Sequence, residues 1–219
     1  MKILLTSAGI TSAAIADGLQ KLVAKPLTET KLIFIPTAAN LGVEDKSWLV
    51  DNIVEFRDQH FASFDIVDIA GLPDRVWLPH FEAADVICFG GGDETYLSRI
   101  LDEQGVKEKL LPLLETRVYM GISAGSMVAG ASLPRGLSPE LFGEDDYESD
   151  QGNGMELYDF TFIPHLNSNY FNKVRVEYLE TCIDRLPTTC YATDDFTAIS
   201  LMNGQPEIVG EGAVWRLER

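Results

Sequence analysis

Five short apolar runs, separated by segments with helical periodicity, constrain the fold of this chain most strongly. The runs lack a strict alternation of apolar and polar residues, which is typical of strands covered on both faces. They are KILLT (2–6), KLIFIP (31–36), FDIVDI (64–69), DVICF (85–89) and RVYMG (117–121). Strands that alternate with helices favour crossover connections and a parallel sheet. We therefore predict an α/β fold with a mostly parallel central sheet flanked by helices.

Helical patterns lie between these runs. Ser12 can cap a first helix, and Asp45 or Ser47 can start a second one. A third pattern runs from about Glu94 into residues 110–114. In a parallel sheet of this kind, binding sites lie at the carboxyl ends of the strands, so the loops that leave the strands there are the places to look for chemistry.

The C-terminal part of the chain departs from this alternation. An acidic segment rich in glycine and turn formers, Leu133 to Gly154, predicts a long excursion of the kind that often forms a lid. Beyond it we predict a strand at DFTFIPHLN (159–167), a helix over 170–185, and short strands over 189–217 with hairpin turns at MNGQ (202–205) and GEGA (210–213). With 219 residues, of which 46% are hydrophobic, the chain fits one domain over 1–219.

The charge balance and the cysteines limit the function classes. The chain has 34 acidic and 17 basic residues, a net charge of −17, which repels nucleic acid and anionic membrane surfaces. It shows no leader pattern and no apolar stretch near the roughly 20 residues that span a bilayer, so we expect a cytoplasmic protein. Three cysteines without a Cys-x-x-Cys pair indicate neither a disulfide framework nor a zinc site.

A glycine and serine motif follows the fifth apolar run. Residues 121–125 read G-I-S-A-G, which fits G-x-S-x-G, and a helix is predicted from Ala124 to Ala131. In that context the motif indicates a nucleophile elbow, a sharp turn that exposes the hydroxyl of Ser123 at a helix start, where backbone N–H groups can stabilise an oxyanion. The alternative is a tight turn of small residues in which Ser123 has no chemical role.

A glycine triplet follows the fourth run, in FGGGDETYL (89–97). Glycine lets the backbone approach a ligand closely, so an N–H of Gly91 or Gly92, together with that of Ala124, would form an oxyanion hole with two donors. The alternatives are a phosphate-binding loop or a plain turn. No known phosphate fingerprint is matched, and Asp93 and Glu94 beside the loop would repel phosphate.

A serine nucleophile needs a base and a group that orients the base. His165 leaves an apolar run directly after Pro164, which places it at the same edge of the sheet as Ser123. Several residues could orient the imidazole, and the sequence leaves the choice open. They are Glu140, Asp194, Asp195 and the neutral amide of Asn167.

Taken together, FGGGDETYL, GISAGSMVAG and FIPHLNS resemble the S51 peptidases, the family of dipeptidase E and cyanophycinase. The resemblance implies a fold like that of class I glutamine amidotransferases, which is flavodoxin-like, with short C-terminal strands. It implies acyl transfer with Ser123 as nucleophile and His165 as base, and with Gly91 or Gly92 and Ala124 as oxyanion donors. It implies a short peptide substrate and no metal or organic cofactor.

Two departures from the family pattern concern specificity and the orienting acid. Dipeptidase E has asparagine directly after its glycine triplet, whereas this chain has Asp93, which would repel an N-terminal aspartate and suit an amine. Arg175 is a candidate compensating cation. Glu140 lies 17 residues after Ser123, a spacing nearer to that of cyanophycinase, and is our first choice for the acid. The candidate substrate contacts are Asp93, Asn167, Asp195 and Arg175.

These features favour a serine exopeptidase that acts on dipeptides or short peptides. An esterase or amidase of the α/β-hydrolase type, and a non-catalytic domain that binds a small metabolite, are the alternatives. Folds of this kind often form homodimers. Trp48, Trp77 and Phe81 form either an exposed apolar patch that would serve a dimer or part of the core, and the sequence leaves both open.

Overall fold

Parallel strands form the centre of the main sheet, as predicted. The computed structural model describes residues 1–43, 45–131, 133, 136–143 and 154–219. The parallel strands are β1 (Lys2–Thr6), β2 (Lys31–Ile35), β3 (Ser63–Ile66), β4 (Val86–Phe89) and β5 (Val118–Ile122). They pair in the order β3-β2-β4-β5-β1. The carboxyl ends of β4, β5 and β1 therefore lie side by side, which places the glycine triplet next to the G-x-S-x-G motif.

The C-terminal strands divide between two sheets. β8 (Thr197–Met202) and β9 (Gln205–Gly210) extend the main sheet beyond β1 in antiparallel pairing. β6 (Thr161–Ile163), β7 (Thr189–Thr193) and β10 (Val214–Glu218) form a second sheet in the order β10-β7-β6. In that sheet β6 and β7 are parallel, and β10 is antiparallel to β7.

The two predicted hairpins of this region have different outcomes. The turn at 202–205 joins β8 and β9, which pair with each other, so the prediction of a hairpin there is confirmed. The prediction for 210–213 is wrong, because this segment carries the chain from β9 in the main sheet to β10 in the second sheet. Gly210 takes a φ of +112° at the start of this crossing, a conformation that L side chains rarely adopt.

Helices connect the strands, with some boundaries that differ from the expected ones. The helices are α1 (Ala13–Val23), α2 (Ser47–Asp58), α3 (Asp74–Ala83), α4 (Glu94–Glu103), α5 (Val106–Leu110), α6 (Ala124–Met127), α7 (Leu137–Phe142) and α8 (Val176–Thr181), with 3₁₀ turns at Leu27–Glu29, Thr37–Asn40, Leu113–Glu115 and Ile183–Arg185. Ser12 caps α1 by accepting a hydrogen bond from the N–H of Ile15. The helix expected from Glu94 onward breaks at Gly105, which adopts a left-handed conformation with φ +56°.

The core fills both faces of the main sheet. One face packs under α1 and α2 through residues such as Leu4, Phe34 and Phe56. The opposite face packs around Trp77 and Phe81 of α3, both of which are fully buried. Because these two side chains belong to the core, they give no support to the exposed patch considered for a homodimer.

Most of the excursion predicted over residues 133–154 lies outside the described residues. Its described part includes the short helix α7, whose buried Leu137 and Leu141 pack against residues of the second sheet and α8. Cys88, Cys182 and Cys190 are unpaired and buried. Within the described ranges, no helix has the length and apolar character needed to cross a membrane.

Candidate active site

Ser123 lies in a sharp turn between β5 and α6. Its backbone has φ 49° and ψ −113°, an unusual conformation for a residue with a side chain. The turn is held by a hydrogen bond from the N–H of Ser123 to the carbonyl of Thr6 at 2.9 Å, and by bonds from Ser126 and Met127 to the carbonyl of Ser123. This is the geometry of a nucleophile elbow.

The two glycines of the motif are required by close packing. A Cβ atom on Gly125 would lie 2.0 Å from the carbonyl oxygen of Phe89, and one on Gly121 would lie 2.6 Å from the backbone of Ser126. Real Cβ atoms do not approach backbone so closely. The N–H of Gly125 also donates to the carbonyl of Gly90 at 3.2 Å, which ties the elbow to the glycine triplet.

Two buried tyrosines support the short helix that follows the elbow. The hydroxyl of Tyr119 donates to the carbonyl of Gly125 at 2.5 Å, and that of Tyr158 donates to the carbonyl of Ser126 at 2.7 Å. Burial raises the pKa of both phenols well above the usual value, so they stay protonated and able to donate. These contacts hold α6 in place although it has only four residues.

A chain of hydrogen bonds connects Ser123 to an acid through His165. The Oγ of Ser123 lies 2.9 Å from Nε2 of His165, and Nδ1 of His165 lies 2.7 Å from Oδ1 of Asp195. The backbone N–H of His165 donates to the hydroxyl of Ser7, which in turn donates to the carbonyl of Thr193. A hydroxyl, an imidazole and a carboxylate in this order can activate the hydroxyl as a nucleophile.

The acid in contact with His165 is Asp195 and not Glu140, so our first choice for this position is wrong. Glu140 accepts a hydrogen bond from the hydroxyl of Tyr178 at 2.5 Å and forms an ion pair with Arg185 at 2.8 Å. The hydrogen bond from Tyr178 and the pairing with Arg185 lower the pKa of Glu140. Its carboxylate therefore joins α7 to the region of α8.

Asp194 and Asn167, the other candidates for orienting His165, have different positions. The carboxylate of Asp194 accepts hydrogen bonds from the N–H groups of Phe196 and Ala213, at 3.0 and 2.7 Å. It shapes the turn that presents Asp195. Asn167 has a positive φ of 64°, is exposed, and donates its backbone N–H to the carbonyl of Val174.

The glycine triplet, which we predict to supply oxyanion donors, lies directly against the elbow. A Cβ on Gly91 would lie 3.2 Å from Cβ of Ser123, and one on Gly92, which has φ +133°, would lie 2.3 Å from the backbone of Ala38. Among the described residues, no hydrogen-bond acceptor is paired with the N–H of Gly91, Gly92 or Ala124. These three N–H groups remain our candidate donors to a ligand beside Ser123.

Asp93 and Arg175 differ in what they can offer a substrate. Asp93 caps α4 by accepting the N–H of Tyr96 at 2.7 Å, and it is partly exposed next to the glycine triplet. Arg175 donates to the backbone carbonyls of Ser168 and Val174 at 2.5 and 3.1 Å. Its guanidinium holds the turn that follows His165, so it does not fit the expected role of a free cation for an acidic side chain.

Aromatic side chains flank the site, and the sequence analysis did not assign them to it. Cζ3 of Trp48 lies 3.7 Å from the position that a Cβ of Gly91 would take, so the indole stands beside the glycine triplet. On the other side, the ring of Phe171 packs against the His165 ring with centroids 4.9 Å apart. Tyr170, which is 79% exposed, packs against Phe171. In the sequence, the adjacent aromatic residues Tyr170 and Phe171, a few positions after His165, could have indicated that aromatic side chains flank the site.

No metal centre is evident in the part of the chain that the structure describes, since no three His, Cys, Asp or Glu side chains converge there. A hydroxyl, an imidazole, a carboxylate and N–H donors are the groups that acyl transfer commonly uses.

Solved structures with the same fold include two peptidases. The chain resembles a candidate peptidase E from Listeria monocytogenes EGD-e, with a TM-score of 0.77 and 16% identity over 96% of this chain and 98% of that one. It also resembles a peptidase from an acI-B1 Actinobacterium, with a TM-score of 0.71 and 20% identity over 99% of this chain and 90% of that one. At these identities the likeness establishes the α/β fold.

The sequence itself identifies the family. No curated protein matches the chain. The family comparison matches Peptidase family S51 over residues 3–209, a span that contains the elbow, the glycine triplet, His165 and Asp195. The resemblance seen in the sequence is confirmed, and the chain belongs to peptidase family S51.

Proposed function

We propose that this protein is a serine peptidase that hydrolyses dipeptides or other short peptides through an acyl-enzyme on Ser123. The observation that carries the proposal is the connected chain from Ser123 Oγ to His165 Nε2 and from His165 Nδ1 to Asp195 Oδ1, with distances of 2.9 and 2.7 Å. Membership of a peptidase family supports the same reaction class.

In the first half-reaction, Asp195 accepts the N–H at Nδ1 of His165, which leaves Nε2 free to take the proton of Ser123. Oγ of Ser123 then forms a bond to the carbonyl carbon of the peptide, and the carbonyl oxygen becomes an oxyanion. Ala124 and Gly91 or Gly92 donate their N–H groups to this oxyanion. Donors fixed before the reaction need no reorganisation as the charge develops.

The first half-reaction ends when the oxyanion re-forms the carbonyl, the C–N bond breaks, and His165 gives its proton to the leaving amine. In the second half-reaction, a water molecule attacks the ester on Ser123, with its proton going to Nε2 of His165. The C–O bond to Ser123 breaks, and the proton returns to Oγ. The products are an amine and a carboxylic acid, and no cofactor takes part in any of these steps.

The charges near the site favour substrates whose N-terminal residue is not aspartate. Asp93 places a carboxylate beside the glycine triplet, and Arg175 is occupied by backbone carbonyls. A carboxylate at that position attracts the ammonium group of an N-terminus or of a lysine side chain and repels an acidic side chain.

The experiment is amine release from a panel of dipeptides that differ at the first residue, with acidic, neutral and basic members. Ser123→Ala serves as the inactive variant, and Ser63→Ala, the same change at an exposed position in β3, is the matched control. We expect turnover that Ser123→Ala abolishes and Ser63→Ala retains. Turnover that survives Ser123→Ala would refute the proposal. Thermal stabilisation by a small metabolite without any turnover would favour a binding domain.

A further inference from the structure

One buried acid beside the site has no place in the mechanism above. Glu94 is the first residue of α4 and follows directly after the glycine triplet and Asp93. Its side chain is 1% exposed. Within the described residues, neither of its carboxyl oxygens has a hydrogen-bond partner at normal distance. A buried carboxylate in such surroundings is costly, whereas the neutral acid is tolerated much better.

The groups around Glu94 do little to favour its charge. Asp93, on the same turn, adds a like charge that raises the pKa of Glu94, and the hydroxyl of Ser138 on α7 lowers it. Tyr158 is also an ionisable neighbour, and its burial and the charge of Glu94 raise the pKa of its phenol. α4 also packs against α6 and the 37–40 turn, which contain no ionisable residue, and against α5, which carries Lys107, Glu108 and Lys109.

The two charge states of Glu94 are both accessible near neutral pH. Desolvation is the largest influence, followed by Ser138 and Asp93, and together they raise the pKa of this carboxyl from 4.5 to about 7. The start of a helix favours a negative charge there, but only weakly compared with the cost of burial. Small changes of pH around neutrality therefore change the charge of the Glu94 carboxyl group, which follows the glycine triplet in the chain.

We propose that Glu94 is a positioning residue that supports the reaction at Ser123 in its neutral form, and that its ionisation slows the reaction. This inference rests on the proposed function. The ionised carboxylate would lie two residues from Gly92, in a water-poor interior, and would oppose the negative charge that develops on the oxyanion. It would also favour movement of the first turn of α4 toward water, which displaces the N–H donors of the triplet from Ser123.

The expected size of the effect is that of the repulsion between two like charges in a partly screened interior. Like charges several ångströms apart in a partly screened interior change a rate constant by on the order of ten-fold. We therefore expect the reaction of the wild-type protein to become about ten-fold slower, relative to a variant that cannot ionise at this position, as the pH rises through neutrality.

The test measures how fast a fluorophosphonate probe labels Ser123 from about pH 5.5 to about pH 9, which needs no knowledge of the natural substrate. Glu94→Gln removes the ionisation with little change of shape, and Glu94→Leu removes it with an apolar group if the amide disturbs folding. Glu103→Gln is the matched control, because Glu103 lies at the other end of α4, exposed and paired with Arg99. For each protein, kcat/KM for a dipeptide substrate is also measured over the same pH range.

We expect the ratio of the Glu94→Gln rate to the wild-type rate to rise about ten-fold across the range, and the Glu103→Gln ratio to stay flat. A constant Glu94→Gln ratio, with Ser123 labelled in both proteins, would overturn this inference and leave the proposed function intact. If neither protein is labelled nor hydrolyses a peptide at any pH, the proposed function fails, and the inference fails with it.

Discussion

The burial of Glu94 predicts that Glu94→Gln stabilises the protein against unfolding at high pH. The pKa of this carboxyl is 4.5 in the unfolded reference state and about 7 in the folded protein. Between these values the folded chain holds a proton that the unfolded chain has released. Stability is therefore lost as the pH rises from about 4.5 to about 7, and the loss is complete above that window. Glutamine does not ionise, so the variant escapes this loss.

The magnitude follows from the shift in pKa. About 2.5 pKa units correspond to roughly 3 kcal/mol of the free energy of unfolding, at about 1.4 kcal/mol per unit. Glu94→Gln should match the wild type near pH 4, where both side chains are neutral, and should exceed it by up to about 3 kcal/mol at pH 8. The solvent does not screen this effect appreciably, because the side chain is 1% exposed.

The assay is urea unfolding followed by tryptophan fluorescence at a series of pH values, with Glu103→Gln as the control. At each pH we compare the free energy of unfolding of the variant with that of the wild type. Other groups titrate equally in both proteins, so their contributions cancel in this difference. A difference that does not change with pH would refute the reasoning, since it would mean that Glu94 keeps its ordinary pKa in the folded state. If the stability advantage of Glu94→Gln instead grew as the pH fell, the pKa of Glu94 would be lowered by folding and not raised.

Three further predictions concern the site. Asp195→Asn should lower kcat about 10³- to 10⁴-fold without unfolding the protein, whereas Glu140→Gln should leave kcat within a few-fold, as steady-state kinetics with circular dichroism would show. Gly125→Ala should prevent stable folding, because its Cβ would lie 2.0 Å from the carbonyl of Phe89; a soluble variant with the wild-type melting temperature would disprove the packing argument. Trp48→Ala should raise KM several-fold for peptides with a large apolar side chain and change kcat little, since the indole stands beside the glycine triplet and belongs to neither the hydrogen-bond chain nor the N–H donors; an unchanged KM across the dipeptide panel would remove it from the site.

The sequence predicted the elements that depend on local pattern. The buried strands lack polar alternation, so their positions and parallel direction could be inferred, although their order in the sheet could not. The small residues around Ser123 indicated the elbow. His165 could be placed because its strand ends directly before it. Each of these inferences uses residues that are close together in the chain.

The orienting acid depends on long-range structure, and the sequence could not choose it. Asp195 reaches His165 because β7 lies in the second sheet and β8 in the main sheet, and the turn between them crosses at the site. Asp194, its direct neighbour, faces the 210–213 segment. Nothing in a pair of adjacent aspartates tells which one points to the imidazole. The same crossing explains why the 210–213 segment is not a hairpin, since β9 and β10 lie in different sheets.

The division of the site between two sheets makes its assembly a late event in folding. Ser123 stands on the main sheet, His165 follows a strand of the second sheet, and Asp195 lies on the link between them. β1, near the start of the chain, completes its pairing only when β8 arrives, with Thr6 opposite Ala198. Pairings between distant segments form slowly. During synthesis, Ser123 is therefore present long before the hydrogen bonds from Ser123 through His165 to Asp195 can form. We therefore expect the arrangement of Ser123, His165 and Asp195 to form only after both sheets have docked.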